Sequence, residues 1–216
     1  MNDWLPIAVS IPAASYLLGS IPFGLLLSTL LGRGDVRHAG SGNIGATNVA
    51  RVAGPLAGIL TLVLDATKGS AAVLLADDLS NGNSSWMMLA GLFALIGHCF
   101  PIWLKFKGGK GVATAAGVFL VLCPAALLGS LILFVIFVAF WRYVSLGSIA
   151  AATAMPLLIY FLWAPHAPSH HAPPVLVDFG SLAAALLIVY KHDANLQRLV
   201  DGTEPRISFG SKKDSE

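Results

Sequence analysis

The residues best suited to chemistry in this chain are three lysines and three glycines between two apolar runs, in the order Lys105-Phe106-Lys107-Gly108-Gly109-Lys110-Gly111. Ammonium groups at the end of a membrane helix are costly unless they meet anions. Neighbouring glycines let backbone N–H groups turn toward a small ligand, because no Cβ blocks its approach. A helix that starts at Val112 would direct its positive dipole end at the same place. The pattern predicts a phosphate-binding loop at the membrane surface. A basic anchor facing anionic lipid is the alternative, and it explains the lysines but not the glycines.

A second polar segment runs from Gly40 to Arg51 and carries no charge before Arg51. Its serine, asparagine and threonine side chains supply hydrogen-bond donors, and its glycines allow close backbone approach. Gly40, Gly42 and Gly45 match the dinucleotide-binding pattern G-x-G-x-x-G, but that motif follows a strand, whereas a long apolar segment precedes it here. We therefore reject dinucleotide binding and interpret the segment as part of a polar site. A flexible loop is the alternative.

The third polar segment spans residues 191–199 and is expected to continue the last apolar helix. His192 and Asn195 are three residues apart and would share a helix face, as would Asn195 and Arg198. This spacing is consistent with a ligand-binding face. An ordinary amphipathic helix end, with cations near its C-terminus, is the alternative.

Two charged residues, Asp65 and Lys68, lie inside an apolar block. A charge near the centre of a membrane helix costs about 2.5–3.5 kcal/mol on insertion scales. The two residues are three apart and could therefore pair with each other. Alternatively, they support the polar loops from within the membrane.

The histidines and cysteines give little reason to expect a metal site. His166, His170 and His171 share a proline-rich loop, but no Cys or Glu accompanies them. Cys99 and Cys123 are isolated in apolar segments, where cysteine usually packs as a small apolar side chain. We expect neither a metal nor another cofactor.

The composition indicates an all-α integral membrane protein. Hydrophobic residues make up 56% of the 216-residue chain and charged residues 11%, and the mean hydropathy is +0.76. Soluble domains carry about 25% charged residues. The net charge of +2 gives no reason to expect a nucleic-acid partner. No polar linker divides the chain, so we predict one domain over residues 1–199, followed by a polar cytoplasmic tail over 200–216.

Six apolar blocks are long enough to be considered as membrane segments: Trp4–Leu31, Val52–Ala76, Trp86–Leu104, Val112–Phe140, Val144–Trp163 and Val175–Tyr190. With six crossings, Arg142 and the basic residues of the tail would lie opposite the other Lys and Arg clusters. If the fourth block is instead a pair of short helices that breaks at Cys123-Pro124, every loop or tail Lys and Arg falls on one side. We therefore predict seven helices, an external N-terminus and a cytoplasmic C-terminus. A single long tilted helix over the fourth block is the alternative.

Three segments resemble the signature motifs of the bacterial acyl-phosphate:glycerol-3-phosphate acyltransferases, the PlsY family. They are Ser41-Gly42-Asn43-Ile44-Gly45-Ala46-Thr47-Asn48, Lys105-Phe106-Lys107-Gly108-Gly109-Lys110-Gly111-Val112-Ala113-Thr114, and His192-x-x-Asn195 with Arg198-Leu199. The element Asp65-x-x-Lys68-Gly69 also resembles the family, and the similarity extends from about Tyr16 to Leu199. Leu196 stands where the family usually has isoleucine, Asp193-Ala194 is not the commonest pair, and Pro55 stands where a lysine is frequent.

The resemblance implies an enzyme that transfers a fatty acyl group from acyl phosphate to the 1-hydroxyl of sn-glycerol 3-phosphate. The products would be lysophosphatidic acid and phosphate, in the first acylation step of bacterial phospholipid synthesis. The family has seven membrane helices and a cytoplasmic C-terminus, and it uses neither acyl-CoA nor a carrier-protein thioester directly. The resemblance also implies a multi-pass protein of the bacterial inner membrane, with its site on the cytoplasmic face beside membrane lipid. A functional link to an enzyme that generates acyl phosphate would follow.

The resemblance further implies roles for individual residues. The residues expected to take part in catalysis are Ser41, Arg51, Lys110, His192 and Asn195. The residues expected to bind a substrate phosphate are Asn43, Thr47, Asn48, Lys105, Gly108, Gly109, Gly111, Val112 and Thr114. Asp65 and Lys68 would support these loops. The proton of the attacking hydroxyl would pass either to His192 or to a phosphate oxygen of a substrate, and we favour the second because no carboxylate is evidently placed to orient the imidazole.

Other function classes fit the sequence less well. An acyl-CoA-dependent acyltransferase usually carries His-x-x-x-x-Asp, and none of the six histidines has Asp five residues later. A small transporter for a phosphorylated solute should place its ligand groups near the middle of the membrane, whereas most of the polar groups here are expected at one face. A lipid-binding scaffold should tolerate the loss of Ser41 or Asn195. The transporter is the main alternative.

Overall fold

The computed structural model of this protein describes residues 4–163 and 174–207. Every regular element within those ranges is a helix, which confirms the all-α prediction. The α-helices are α1 (Trp4–Gly19), α2 (Phe23–Leu30), α3 (Ala46–Ala53), α4 (Pro55–Ser80), α5 (Ser84–Cys99), α6 (Val112–Leu122), α7 (Pro124–Trp141), α8 (Val144–Leu162), α9 (Val175–Lys191) and α10 (Asp193–Val200). Single 3₁₀ turns occur at Val36–His38 and Ile102–Leu104.

Five stretches of the described chain are long and apolar enough to cross a membrane: Ile7–Leu30, Pro55–Ser80, Ser84–Leu104, Pro124–Trp141 and Val144–Leu162. A sixth results if α9 and α10, which meet at a bend of 57°, count as one broken span. The protein is therefore a multi-pass membrane protein. Its seven crossings and the orientation of its termini remain predictions.

The predicted break at Cys123-Pro124 is present. Helix α6 ends at Leu122, α7 begins at Pro124, and Cys123 between them has φ −152° and ψ 78°, outside the helical region. Proline disfavours helical geometry at the residue before it, which explains the break and excludes one continuous tilted helix. The expectation of two short helices is half wrong. Eleven-residue α6 is about 16 Å long, well short of a hydrocarbon core of about 30 Å, but eighteen-residue α7 is long enough to span it.

The first apolar block is also interrupted, at Ile21-Pro22 between α1 and α2. Lys68 of α4 donates from Nζ to the Ile21 carbonyl oxygen at 2.8 Å, and its ammonium lies 2.8 Å from Asp65 Oδ1. Both charged side chains are almost fully buried. The predicted pair therefore exists, and it also satisfies a carbonyl group at the break in the first span.

Close contact between α4 and α6 holds the start of α6 in place. A Cβ added at Gly117 would lie 1.8 Å from the Ala66 carbonyl oxygen, and one at Gly69 would lie 2.2 Å from that of Thr114. Only glycine allows the two backbones to approach this closely. This contact places the first turns of α6 against the middle of α4, next to Lys68.

Candidate active site

The three polar segments identified in the sequence meet around one cavity of about 510 Å³. The first contributes Gly40, Ser41, Asn43, Gly45, Ala46, Thr47, Asn48 and Arg51. The second contributes Lys110, Gly111, Val112 and Ala113, and the third contributes His192, Asn195 and Arg198. Glu204 and Pro205, which follow the third segment, also line the cavity. The remaining wall is formed by Leu62, Asp65, His98, Phe134, Val144, Ser145 and Ser148. Residues more than 150 positions apart in the sequence are thus brought to a single site.

The loop before α3 is held in shape by the buried side chain of Asn48. Its Oδ1 accepts a hydrogen bond from the Ser41 backbone N–H at 2.8 Å. Its Nδ2 donates to the carbonyl oxygens of Val36, Ala39 and Asn43 at 2.8–3.1 Å. Asn48 therefore serves the loop more than a ligand, although its sequence position suggested phosphate binding.

Other residues of the first segment also line the cavity. Asn43 Oδ1 accepts from the Gly45 N–H at 2.8 Å, which closes a tight turn just before α3. Ser41 and Thr47 line the cavity with hydroxyl groups, and Arg51 adds an exposed cation from the last turn of α3. These residues form the hydroxyl- and guanidinium-bearing side of the site.

The second segment presents the start of α6 to the cavity, as the sequence predicted. Helix α6 begins at Val112, and Gly111 before it has φ +85°, a conformation that L side chains rarely adopt. The first N–H groups of a helix have no partner within that helix, and no side chain of the described chain caps this one. Gly111, Val112 and Ala113 line the cavity beside Lys110. This arrangement of amides, dipole and cation suits an anion.

Four residues expected to bind phosphate lie away from the cavity lining. Gly108 and Gly109 donate their N–H groups to the carbonyl oxygens of Cys99 (3.2 Å) and His98 (3.0 Å). A Cβ at Gly109 would lie 2.0 Å from His98 Nε2, so this glycine permits close packing. Lys105 is exposed, and Thr114 is fully buried against α4. Of the residues in this motif that were expected to bind phosphate, Gly111 and Val112 line the cavity, beside Lys110.

The third segment differs from the expected continuous helix. Helix α9 ends at Lys191, the chain bends by 57°, and α10 begins at Asp193. His192 occupies the bend, and its Nδ1 lies 2.7 Å from the Ile188 carbonyl oxygen. A carbonyl group can only accept, so Nδ1 carries the proton and Nε2 is the acceptor of the neutral ring. The Ile188 carbonyl group thus orients the imidazole ring of His192. The sequence had offered no carboxylate for that role.

A chain of hydrogen bonds connects Lys110, Asn195 and Glu204. Lys110 donates from Nζ to Asn195 Oδ1, and Asn195 donates from Nδ2 to Glu204 Oε1 at 2.6 Å. Glu204 also accepts from Ser145 Oγ at 2.7 Å and, through Oε2, from Arg198 Nε at 2.8 Å. Sequence reasoning missed Glu204 and Ser145. Glu204 falls within the predicted tail over 200–216, yet its side chain is buried in the folded domain.

Burial affects the charge of Lys110. Its partly buried ammonium group is poorly solvated, and this lowers its pKa to about 8. The negative charge of Glu204 opposes the shift, while the positive charges of Arg198, Arg51 and Lys191 add to it. Burial by itself would raise the pKa of Glu204, but the hydrogen bonds from Ser145, Asn195 and Arg198 outweigh it and hold that pKa below its usual value. Near neutral pH the site therefore combines a protonated lysine with an ionised glutamate.

The inner wall of the cavity reaches the buried charges of α4. His98 Nδ1 lies 3.5 Å from Asp65 Oδ1, so His98 joins the Asp65–Lys68 pair beneath Gly109. A single histidine at the end of an apolar run carried no recognisable signal in the sequence. His166, His170 and His171 lie outside the described residues, so the prediction about that loop stays a prediction.

The arrangement can bind an anion and an apolar chain together. Lys110, Arg51 and the start of α6 offer positive charge and N–H groups, while Phe134 and Val144 add apolar walls. Such preorganised donors stabilise negative charge that develops during a reaction. The site is therefore suited to a phosphorylated substrate with a lipid-like part.

The family model for glycerol-3-phosphate acyltransferase matches residues 9–202 of this chain. Glycerol-3-phosphate acyltransferase of Trichlorobacter lovleyi is 52% identical over 196 residues, which cover 90% of this chain and 94% of that protein. The protein of the same name from Syntrophotalea carbinolica is 49% identical over 193 residues, covering 89% and 94%.

Two solved structures are similar over almost the whole chain. The crystal structure of PlsY (YgiH), described as an integral membrane glycerol 3-phosphate acyltransferase in its glycerol 3-phosphate form, has a TM-score of 0.84 and 38% identity, covering 93% of this chain and 96% of that chain. Its lysophosphatidic acid form has a TM-score of 0.80 at the same identity, covering 93% and 95%. Because the family model, the relatives and the structures agree over about nine-tenths of the sequence, this chain belongs to the glycerol-3-phosphate acyltransferase family.

Proposed function

We propose that this protein transfers a fatty acyl group from acyl phosphate to the 1-hydroxyl of sn-glycerol 3-phosphate, giving lysophosphatidic acid and phosphate. The acylation of glycerol 3-phosphate, a step of phospholipid synthesis, follows from membership of the family. The acyl-phosphate donor, the position of acylation and the residue roles are our proposal. The observation that carries it is the convergence of three polar segments on one cavity with both cationic and apolar walls.

Each side of the cavity has a proposed role. Lys110, Gly111 and Val112 hold one phosphate at the start of α6. Ser41, Thr47 and Arg51 hold the other phosphate and orient the acyl carbonyl. Two separate anion-binding sides suit a reaction in which both substrates carry a phosphate group, and alignment of the two substrates itself accelerates the attack.

The reaction needs charge stabilisation more than it needs a covalent nucleophile. The glycerol hydroxyl oxygen attacks the acyl carbonyl carbon, a C–O bond forms, and the bond from that carbon to the phosphate oxygen breaks. The phosphate leaves with the bonding electrons, and Lys110 with the N–H groups of α6 stabilises the added charge. The hydroxyl proton passes to a phosphate oxygen of a substrate. His192 accepts a hydrogen bond at Nε2 from a glycerol hydroxyl and positions it for attack.

The substitution His192→Asn distinguishes the two possible acceptors of the hydroxyl proton, which are a phosphate oxygen of a substrate and His192 itself. If His192 only positions glycerol 3-phosphate, the KM for that substrate should rise while kcat falls by less than about tenfold. A general base contributes about 10²–10⁴-fold. A fall in kcat of that size with an unchanged KM would contradict the positioning role.

The membrane arrangement is also a proposal. Seven crossings would place the N-terminus outside, the C-terminus in the cytoplasm and the cavity at the cytoplasmic face of the bacterial inner membrane, where soluble glycerol 3-phosphate is available. The distribution of Lys and Arg supports it. Two reporters fused after Glu216 test this orientation. A reporter that is active only in the cytoplasm should give signal, and one that is active only outside the cell should give none.

We further propose that a separate enzyme supplies the acyl phosphate.

The direct test is phosphate release by the purified protein given palmitoyl phosphate, with and without glycerol 3-phosphate. We expect release that depends on both substrates and forms lysophosphatidic acid, and none with palmitoyl-CoA. Arg51→Ala should retain its fold but release phosphate much more slowly. No turnover by folded wild-type protein would contradict the proposal, and uptake of glycerol 3-phosphate into vesicles would then test the transporter.

A further inference from the structure

Glu204 is a carboxylate in a cavity that otherwise suits anions. It follows α10, lies beyond the segments with recognisable motifs, and its side chain is buried, with only 9% of the residue exposed. An ionised group in such a place would repel a phosphate group, and burial adds a desolvation cost. Its presence therefore calls for a specific physical reason.

The hydrogen bonds of Glu204 supply that reason. An ionised carboxylate accepts but does not donate. Because Oε1 faces Asn195 at 2.6 Å, the donor nitrogen of that amide must point toward Glu204. The amide oxygen then points the other way, where Lys110 donates to it. One buried carboxylate thus determines which way the amide faces and where the ammonium group lies.

The segment that carries Glu204 is itself attached to the turn between α7 and α8. The Ile207 N–H donates to the Arg142 carbonyl oxygen at 2.8 Å, and Arg142 Nε donates to the Ile207 carbonyl oxygen at 2.9 Å. Ser145 Oγ, in the first turn of α8, donates to Glu204 Oε1 at 2.7 Å. The carboxylate is therefore held from α8 and from α10 at the same time, which limits its movement.

We propose that Glu204 is a positioning residue for the acyl transfer, because its carboxylate fixes the amide of Asn195 and thereby holds the Lys110 ammonium at the start of α6. This inference rests on the proposed function, in which Lys110 stabilises the leaving phosphate. Glu204 is not a catalytic residue, since it acts through Asn195. Small displacements of a group that stabilises developing charge cost about 10²-fold in rate.

The charge of Glu204 gives the inference a second readout. The groups that affect the charge of Lys110 are Glu204, Arg198, Arg51, Lys191 and His192. The negative charge of Glu204 favours the ammonium form of Lys110, while the positive charges of Arg198, Arg51 and Lys191 disfavour it. Removing the negative charge should therefore shift the loss of activity at high pH toward lower pH. A side chain that merely fills space would not produce that shift.

The test compares Glu204→Gln with Asp201→Asn, the same change of acid to amide at an exposed position of the same segment. For Glu204→Gln we expect kcat/KM for glycerol 3-phosphate to fall about 10- to 100-fold. We also expect the decline of kcat/KM at high pH to begin at lower pH than in the wild type. Asp201→Asn should match the wild type in both respects. A Glu204→Gln enzyme with wild-type kcat/KM and an unshifted pH profile would overturn the inference.

Glu204→Asp separates geometry from charge and covers the case in which Glu204→Gln does not fold. It keeps the carboxylate but shortens the side chain by one methylene group. The rate of acyl transfer should therefore fall, while the decline of kcat/KM at high pH stays near that of the wild type. An Asp variant with a wild-type rate would overturn the positioning role. Ser145→Ala, which removes a support but leaves the Asn195 contact, should have a smaller effect than either.

These outcomes are distinguishable from failure of the proposed function. Wild-type turnover with unaffected Glu204 variants would contradict only the inference. Absence of turnover by folded wild-type protein, given palmitoyl phosphate and glycerol 3-phosphate, would overturn both. Thermal unfolding of each variant in detergent shows whether a rate loss reflects misfolding, and a loss that disappears when rates are expressed per folded protein would also overturn the inference.

Discussion

Two lysines of this protein, buried Lys68 and partly buried Lys110, are held in different ways. Lys68, inside α4, pairs directly with Asp65 at 2.8 Å and donates to a backbone carbonyl oxygen at the same distance. Lys110, before α6, donates to the neutral amide of Asn195, and the nearby carboxylate of Glu204 lies behind that amide. The charge of Lys68 is matched within the protein, whereas that of Lys110 is oriented without being directly paired.

In the proposed function, this difference separates a structural cation, Lys68, from a substrate-binding cation, Lys110. A direct ion pair in a low-dielectric interior leaves little electrostatic attraction for a third group. A cation fixed by a neutral amide retains its attraction for an incoming phosphate group. The same substitution at the two positions should therefore affect different properties.

The largest expected effect is on the stability of Lys68→Met. The substitution removes the direct ion-pair partner of buried Asp65 and leaves only His98, at 3.5 Å, beside that carboxylate. Breaking a buried pair in this way costs about 3–5 kcal/mol. Thermal unfolding in detergent should show a large loss of stability. The double variant Lys68→Met/Asp65→Leu removes both charges and should recover part of it; a double variant less stable than Lys68→Met would show that the pair is not the cause.

Lys110→Met is the matched substitution at the cavity. We expect the rate of acyl transfer to fall about 10²–10³-fold, since one preorganised charge donor to the leaving phosphate is lost. Thermal stability should stay near that of the wild type, because no buried carboxylate loses a direct ion pair. Steady-state kinetics and an unfolding curve on the same preparation check both. Strong destabilisation with an intact rate would reverse the distinction between the two lysines.

The pH dependence sharpens the comparison. The pKa of Lys110 is lowered to about 8 by burial, so its ammonium form is lost, and activity falls, as pH rises through that value. The plot of kcat/KM against pH, which reports groups of the free enzyme, should decline at high pH accordingly. In Lys110→Arg the guanidinium stays charged, so any remaining activity should persist to higher pH. A decline at the same pH in both enzymes would assign it to another group.

The smallest expected effect is that of Lys105→Ala. Lys105 belongs to the same motif as Lys110, but it is exposed and lies away from the cavity lining. Removing an exposed charge of this kind should change kcat/KM by less than about twofold, because exposed charges are well screened by solvent. A loss comparable with that of Lys110→Met would return Lys105 to the phosphate-binding set.

Much of this protein could be predicted from sequence alone, because the responsible forces act locally along the chain. Long apolar blocks require membrane helices, Pro124 ends the preceding helix at Leu122, and the spacing of Asp65 and Lys68 places them within pairing distance. The start of α6 at Val112 followed from the glycines before it. The motifs also identified the family and the three segments that line the cavity.

The tertiary structure alone decided how the polar groups of those segments are used. Whether an N–H group is free for a ligand depends on distant partners: Gly108 and Gly109 donate to the end of α5, while the amides of Gly111 and Val112 lie at the cavity. Glu204 carried no signal, because its importance depends on contacts with Asn195 and Ser145, nine and fifty-nine residues away. Sequence determined which groups the site could contain. Packing determined which of them remain available to bind, because each hydrogen-bond donor is either satisfied within the protein or left for a ligand.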